Sequence, residues 1–560
     1  MRGGRLIAVL LYTAQSAWFV SQVHAEEPSA TSPSSFSSSS ASPATAPAPA
    51  SPPQSTPTAP SSPAITPAPV SPPQATAETP PPPSQSDSVV QIIRTQLAEP
   101  SLSKGVNASD LTALQTFYAA RTGGPMWTTE MGLSARAQAA LFEISKADDW
   151  GLDAGAFELP AAAALPKTPE EQAAAEIKLN LAILKYARFA RGGRLNPSAV
   201  SDLFDQAPPV RDPRNVLTEI AAADAPDQYL QSQHPKHDQF VRLRQALLKA
   251  RGKDENATNP KPATNERDIR RLVINMERWR WMPEDLGAVY VWNNAPEFML
   301  YVIKNGKMIF ADKTLVGTIG YATPVFTADM KTIVFNPDWV APATVVTENL
   351  LPPLRDGNYS ILSAHELLVS YQGKRVNPAS VNWGRVNILS YTFTQKTGPN
   401  NVLGKVKFLF PNKHTVYMHD TVPFRKKLFK EPVRMIGHEC VRMENPQRFA
   451  EVLLGEDKGW GSRQVKDLWD KSINNSIPID RKLPVHMTYF TTVVNDAGKV
   501  STSADVYGLD RKMAIALFGD ASGFPQPPPE AKQPQEGVSA TRQTSSGGGI
   551  ASSLGSFLRD

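Results

Sequence analysis

The chain has 560 residues, 41% of them apolar, and carries a net charge of +5. That leaves room for two or three domains with at least one sizeable core. So mild a charge, with no Lys/Arg stripe interleaved with aromatics, excludes nucleic acid as the expected partner. A single cysteine, Cys440, excludes any intramolecular disulfide.

Residues 1–25 read as a secretory signal: Arg2 and Arg5 give a basic start, Leu6 to Tyr12 an apolar stretch, and Val23-His24-Ala25 a small-residue cleavage pattern. The expected location is therefore an exported one, with membrane association only if the signal stays uncleaved. Residues 26–88 are rich in Ser, Pro and Ala, lack Lys and Arg, and predict an extended disordered linker. Residues 89–251 predict a helical domain. Within it, segments 107–121 and 134–147 carry helical apolar periodicity, and Thr168-Pro169-Glu170-Glu171 forms a capping box with Pro at the first helical position. That helix is stopped by Gly192-Gly193. Residues 252–267 read as a polar linker. A short helix holding Met276, Trp279 and Trp281 then gives way to strands: 289–292, 298–303, 308–310, 331–335, 405–410, 414–419 and 485–494. Asn305-Gly306 is the strongest hairpin turn among them. Residues 340–390 interrupt this β-rich body (268–520) as a lid-like insertion, and 521–560 predict a disordered tail.

The chemistry concentrates in His414 to Pro446, which holds three of the eight histidines and the sole cysteine. A leftover thiol in an exported chain is a reactive group, an intermolecular link or an inert core residue. Imidazole and positive charge nearby favour the first. His419 ends a predicted strand, His438 lies two residues before Cys440, and Arg442 two residues after it. Asp420, next to His419, points to the other face of an extended strand and is no obvious orienting partner. A metal site built from Cys440, His419 and His438 competes, but the spacing matches no zinc pattern, so neither metal nor organic cofactor is expected.

These residues resemble the signature of L,D-transpeptidases of the YkuD-domain type, in which a histidine precedes a (Ser/Thr)-His-Gly-Cys-x-(Arg/Asn) block. Here that reads His419, then Gly437-His438-Glu439-Cys440-Val441-Arg442. Further likeness, to the large multidomain YcbB-like subgroup of Gram-negative bacteria, comes from Asn275 to Trp281, Thr323 to Phe326 and Phe335 to Trp339. It continues through Gly398 to Gly404, Phe410 to Asn412, His419 to Thr421 and Pro484 to Phe490. The sequence departs from the pattern at Glu439, where the family has Gly, and in the 21-residue His419–Cys440 interval. The 252–267 linker is also too short for the peptidoglycan-binding module usual in the subgroup.

The resemblance implies a multidomain α+β protein, with a helical N-terminal scaffold domain followed by a mainly-β catalytic domain carrying an inserted capping segment. It implies a periplasmic enzyme acting on peptidoglycan stem tetrapeptides and acylated by carbapenems. In that reading Cys440 is the nucleophile, His419 the base and His438 an assistant. Backbone N–H groups of Glu439 and Cys440 hold the oxyanion. Arg442, Tyr417, Asn401 and Trp339 contact substrate. The product is a 3→3 crosslink. Other acceptors (water, D-amino acids or a protein) remain open, as does a wall-binding scaffold whose catalytic loop has decayed at Glu439.

Overall fold

The computed structural model describes residues 85–160, 166–253 and 265–527. The signal, most of the Ser/Pro-rich linker, the centre of the second linker and residues 528–560 lie outside the described residues.

The helical part is built on α1 (Gln85–Leu97), α2 (Ala108–Ala120), α3 (Ala135–Ser145) and α4 (Pro169–Gly192). Two short helices, α5 (Pro213–Ala222) and α6 (Pro226–Ser232), follow. The capping box reads as expected: Thr168 accepts from the Glu171 amide, and the Glu171 carboxylate reaches back. The first helix begins four residues before the expected linker end, because Val89, Val90 and Ile93 bury one face against α4. At the centre of this bundle lies Glu176, fully buried. Its carboxylate accepts from Tyr118 Oη (2.5 Å), from the Met126 amide, and from the amides of Trp127 (2.9 Å) and Thr128 (3.1 Å). Burial still lifts its pKa above the ordinary carboxylate value.

Helices α7 (Asp238–Ala250) and α8 (Glu266–Arg280) pack on each other, and their apolar faces (Phe240, Leu243, Leu247, Leu272, Met276) enter the core of the β-rich part. Helix α8 is the joint between the two halves. Glu277, fully buried, accepts from the amides of Arg194 and Leu195 just past α4. Arg280 donates to the carbonyls of Ala190 (3.2 Å) and Trp150 (2.6 Å), and Arg278 pairs with Asp510 at 2.6 Å.

The β-rich part is one curled ten-stranded sheet. In chain order its strands are β1 (Val289–Asn294), β2 (Met299–Lys304), β3 (Lys307–Leu315), β4 (Phe326–Asp329) and β5 (Thr332–Phe335). After the insertion come β6 (Val406–Leu409), β7 (Met418–His419), β8 (Val441–Met443), β9 (Asn475–Pro478) and β10 (Pro484–Thr488). The spatial order is β9-β5-β6-β7-β8-β3-β2-β1-β10-β4. Asn305-Gly306 turns β2 into β3 with φ of 47° and 76°, the positive pair a two-residue hairpin demands.

Two expected strands are cut short well inside their spans. The 414–419 strand shrinks to Met418–His419, because Asn412 Oδ1 accepts from the amides of His414 and Val416 (both 3.1 Å) and folds the preceding residues into a tight loop. The 485–494 strand breaks at Tyr489-Phe490, where the Phe490 amide turns to donate to Asn294 Oδ1 at 2.7 Å. Residues Thr492–Val494 start a separate hairpin.

The insertion is a small folded body, not a loop. Strands Trp339–Val340, Leu367–Tyr371, Lys374–Arg375 and Tyr391–Gln395 form a four-stranded antiparallel sheet over a core of their own that includes Val345, Leu350, Trp383 and Phe393. The expected disorder from residue 521 also needs correcting: Phe524 is buried and its carbonyl accepts from Arg511, so the chain stays folded against the helix Leu509–Phe518 through this point.

Candidate active site

Strands β7 and β8 are parallel neighbours, with Met418 opposite Val441 and His419 opposite Arg442. The Val441 amide donates to the Tyr417 carbonyl at 3.2 Å, which sets Cys440 level with Tyr417. Successive side chains alternate between faces. Met418 and Val441 project into the core and are fully buried. Tyr417, His419, Cys440 and Arg442 therefore share the opposite face. With strands ~4.8 Å apart and a rise of ~3.3 Å per residue, the Cα atoms of Cys440 and His419 lie about 8 Å apart on a diagonal, within joint reach of a thiol and an imidazole.

Cys440 is half-buried, and burial pushes its thiol up to about 11. The Tyr417 amide and hydroxyl and the Arg442 charge pull it down, while the Glu439 carboxylate pushes it further up. His419 is buried, and burial together with Arg442 holds its imidazole well below the ordinary value against the pull of the Asp420 and Leu403 carbonyls. Its Nδ1 has no hydrogen-bond partner among the described residues. At neutral pH the pair is thus thiol and neutral imidazole, not the resting thiolate that a cationic neighbourhood in the sequence suggests.

Other expected site residues divide clearly. Tyr417 packs its ring 5.7 Å from that of His419, and its hydroxyl is among the groups that lower the Cys440 thiol. Trp339 is buried in the insertion's core, against which Tyr417 packs. Asn401 is buried and its amide is fully spent on backbone. It donates to the carbonyls of Pro337, Gln395 and Lys396 and accepts from the Leu403 amide at 2.9 Å, which makes it a brace of the insertion's return rather than a pocket wall. Arg442 donates to the Ile436 carbonyl at 3.0 Å. Its guanidinium passes so close to Gly437 (φ +77°) that a Cβ there would sit 2.7 Å from Nη1. His438 stacks on Tyr321, ring centroids 3.7 Å apart, and burial lowers it to about 4. Asp420 accepts from the amides of Lys405 and Thr421, turned away from the imidazole's own bonding as its strand position implies.

The loop bearing the nucleophile is knitted to residues 317–323. Thr318 donates to the Gly437 carbonyl and Thr323 Oγ1 to the Glu439 carbonyl (2.9 Å), while Thr323 Oγ1 accepts from the Gly317 amide. In a trans peptide the amide points opposite its carbonyl. Tying the Glu439 carbonyl to Thr323 therefore turns the Cys440 N–H away from that loop. Neither that N–H nor the Glu439 N–H has an acceptor among the described residues. Glu439 itself has no positive φ, so replacing the family's Gly imposes no backbone strain; the left-handed turn is made at Gly437 instead. Sequence reasoning missed Tyr321 and Glu348. Tyr321 donates to Glu348 of the insertion at 2.9 Å, linking the loop beside Cys440 to the capping body. The Gly-x-x-x-Tyr spacing of 317–321 was the available signal, but only contacts give it meaning.

Comparison with known proteins agrees with this geometry. Residues 112–247 match the family model described as a scaffold domain, and residues 288–471 match the L,D-transpeptidase catalytic domain, YkuD. The chain is similar to a Haemophilus influenzae protein named "Putative L,D-transpeptidase", 31% identical over 258 residues that make up 46% of this chain and 51% of that protein. It therefore spans about half the length of the curated relative it matches. The chain thus carries a helical scaffold domain ahead of a β-rich L,D-transpeptidase catalytic domain of the YkuD type, a multidomain α+β arrangement.

Proposed function

We propose that this protein is a periplasmic peptidoglycan L,D-transpeptidase that joins two stem peptides by a 3→3 crosslink through a Cys440 thioester. The observation that carries the reading is the placement of Cys440 and His419 on one face of adjacent parallel strands. As Cys440 Sγ attacks the carbonyl on the L-centre of the donor's diaminopimelate, its proton passes to the neutral imidazole of His419. The Cys440 and Glu439 amides receive the developing oxyanion, a contribution of about 3 kcal/mol per donor. The tetrahedral adduct collapses, the C–N bond breaks, and the departing D-Ala amine takes the proton back from the imidazolium. A second stem's amine then attacks the thioester, His419 takes the proton released, and the thiol re-forms as the new amide is made. Tyr417 lies level with the sulfur on the same face, and Arg442 acts from within the loop by charge.

Incubation of the protein with purified disaccharide-tetrapeptide, followed by mass analysis, tests this. A dimer that has lost one D-Ala is the expected product. Free tripeptide makes water the acceptor, and unchanged substrate with folded protein favours the wall-binding scaffold. A carbapenem adduct of one drug per chain, lost in Cys440→Ala, is the expected companion result.

A further inference from the structure

Far from the sulfur, a cavity of about 390 Å³ opens where helices α7 and α8 meet the hairpin that follows β10. Helix α7 lines it with Ala246, Lys249 and Ala250, helix α8 with Arg271 and Leu272, and the hairpin with Thr492. Strand β10 lies four places along the sheet from β8, ~19 Å at ~4.8 Å per strand. None of the lining residues belongs to the face that carries Cys440 and His419. Polar side chains hold the walls together. Gln239 of α7 donates to the Val494 carbonyl (2.7 Å) and accepts from the Val494 amide (3.0 Å), and Arg242 pairs with Asp496 at 2.5 Å. Asn275 of α8 accepts from the amides of Thr491 and Thr492 at 2.9 and 3.2 Å.

These walls leave donors without acceptors. Thr492 is 1% exposed, and its Oγ1 has no hydrogen-bond partner among the described residues. The buried Nε of Arg271 has none there either. Lys249 makes no ion pair among the described residues, and Asp268, the acid at the rim, is exposed and pairs with neither cation. A buried hydroxyl left unpaired costs stability unless a ligand takes it up. An ammonium and a guanidinium fork beside it match a carboxylate, whose two oxygens the fork can engage together. Ala246, Ala250 and Leu272 add an apolar wall of small and medium side chains, against which a bare inorganic anion has nothing to place.

We propose that this cavity is a second, non-catalytic peptide site, which takes a free carboxylate with a small apolar side chain beside it, as at the D-Ala end of a stem peptide. Arg271 and Lys249 hold the carboxylate, Thr492 Oγ1 donates to it, and the methyl group lies against Ala246 and Ala250. The inference rests on the peptidoglycan substrate of the reading above. A polymer carries many such ends, so one stem held here keeps others of the same strand at high effective concentration near the sulfur.

The test uses the full chain with Cys440→Ala, labelled at alanine and threonine methyl groups, and purified disaccharide-tetrapeptide as probe. The methyl signals of Ala246, Ala250 and Thr492 are expected to shift on titration, which reads this cavity separately from the catalytic face. Lys249→Met and Arg271→Met should each weaken that binding about tenfold, the scale of a hydrogen bond to a charged group. Thr492→Val removes an unpaired hydroxyl, so it should weaken binding severalfold without lowering the melting temperature. With Cys440 restored, Lys249→Met should release D-Ala from the soluble donor at the wild-type rate yet be retained less on purified peptidoglycan. Methyl signals that stay still, or that titrate alike in all three variants, overturn the site. Shifts reproduced by inorganic phosphate at equal concentration make it a general anion site and overturn the peptide assignment. Wild-type protein that releases no D-Ala sinks the acyl-transfer reading alone, because the titration is made without the thiol and decides the cavity by itself.

Discussion

Alkylation of Cys440 by iodoacetamide as a function of pH separates a resting thiol from a resting thiolate–imidazolium pair. With the thiol pushed up to about 11, the thiolate fraction at pH 7 is about one in ten thousand. An unperturbed cysteine near 8.5 holds about 3%, so the ionised population falls roughly 300-fold. Intrinsic nucleophilicity rises with basicity at a Brønsted slope of about 0.4–0.5, which returns about tenfold. The expected rate at pH 7 is therefore ~30-fold below that of a simple thiol, climbing about tenfold per pH unit to pH 10. Since Cys440 is the only cysteine, the labelled fraction reads by mass spectrometry without background. Glu439→Gln should move the curve to lower pH, because that carboxylate raises the thiol. Arg442→Met and Tyr417→Phe should move it to higher pH, because both groups lower it. A rate already on its plateau at pH 6 would refute the neutral-pair argument, and His419 would then have to be charged at rest.

Three further outcomes follow from the same contacts. Glu176→Ala strips the acceptor from three buried amides and the Tyr118 hydroxyl and should cost about 3–5 kcal/mol, read by urea unfolding. Asn401→Ala should lower the melting temperature with KM for the donor unchanged; a raised KM at unaltered stability would return Asn401 to the substrate pocket. Acid should destabilise the fold. His234, His237, His419, His438 and His486 all lie below the ordinary histidine value when folded. At these five imidazoles the folded state binds fewer protons than the unfolded one, so their contribution to stability is intact above pH ~6.5 and falls below it by up to about 1.4 kcal/mol per pH unit for each histidine. A flat midpoint between pH 7 and 5 in denaturant titrations would contradict this.

Much of the architecture was legible because it is local. The Thr168 capping box, the Asn305-Gly306 turn and the periodicity of 107–121 each act within one element, so composition and spacing suffice. What was illegible depended on pairing between distant residues. Nothing around Asn401 in the sequence distinguishes a brace from a wall until Pro337 and Lys396 are seen to claim its amide. The insertion's own fold stayed hidden because its strands are short and its core, Trp383 with Phe393 and Leu350, is assembled from separate segments. At the site, proximity in sequence pointed to Cys440, His419 and His438 together. Only the parallel register of β7 and β8 assigns His419 to the sulfur's face, and only the Tyr321 stack gives His438 its place. The balance of effects on the sulfur was illegible for the same reason, since positive neighbours are visible in a string of letters and desolvation is not.

The buried charges of helix Glu266–Arg280 bear on how this molecule comes apart. Two large apolar clusters of separate origin would ordinarily melt as two units. Here Glu277 and Arg280 close the seam toward the bundle, while Arg278 pairs with Asp510 inside the sheet part's own core. Stripping either half away would leave an uncompensated ion in a dry interior, so partial unfolding carries a penalty that complete unfolding escapes. That helix makes bundle and sheet lose their structure in one cooperative step.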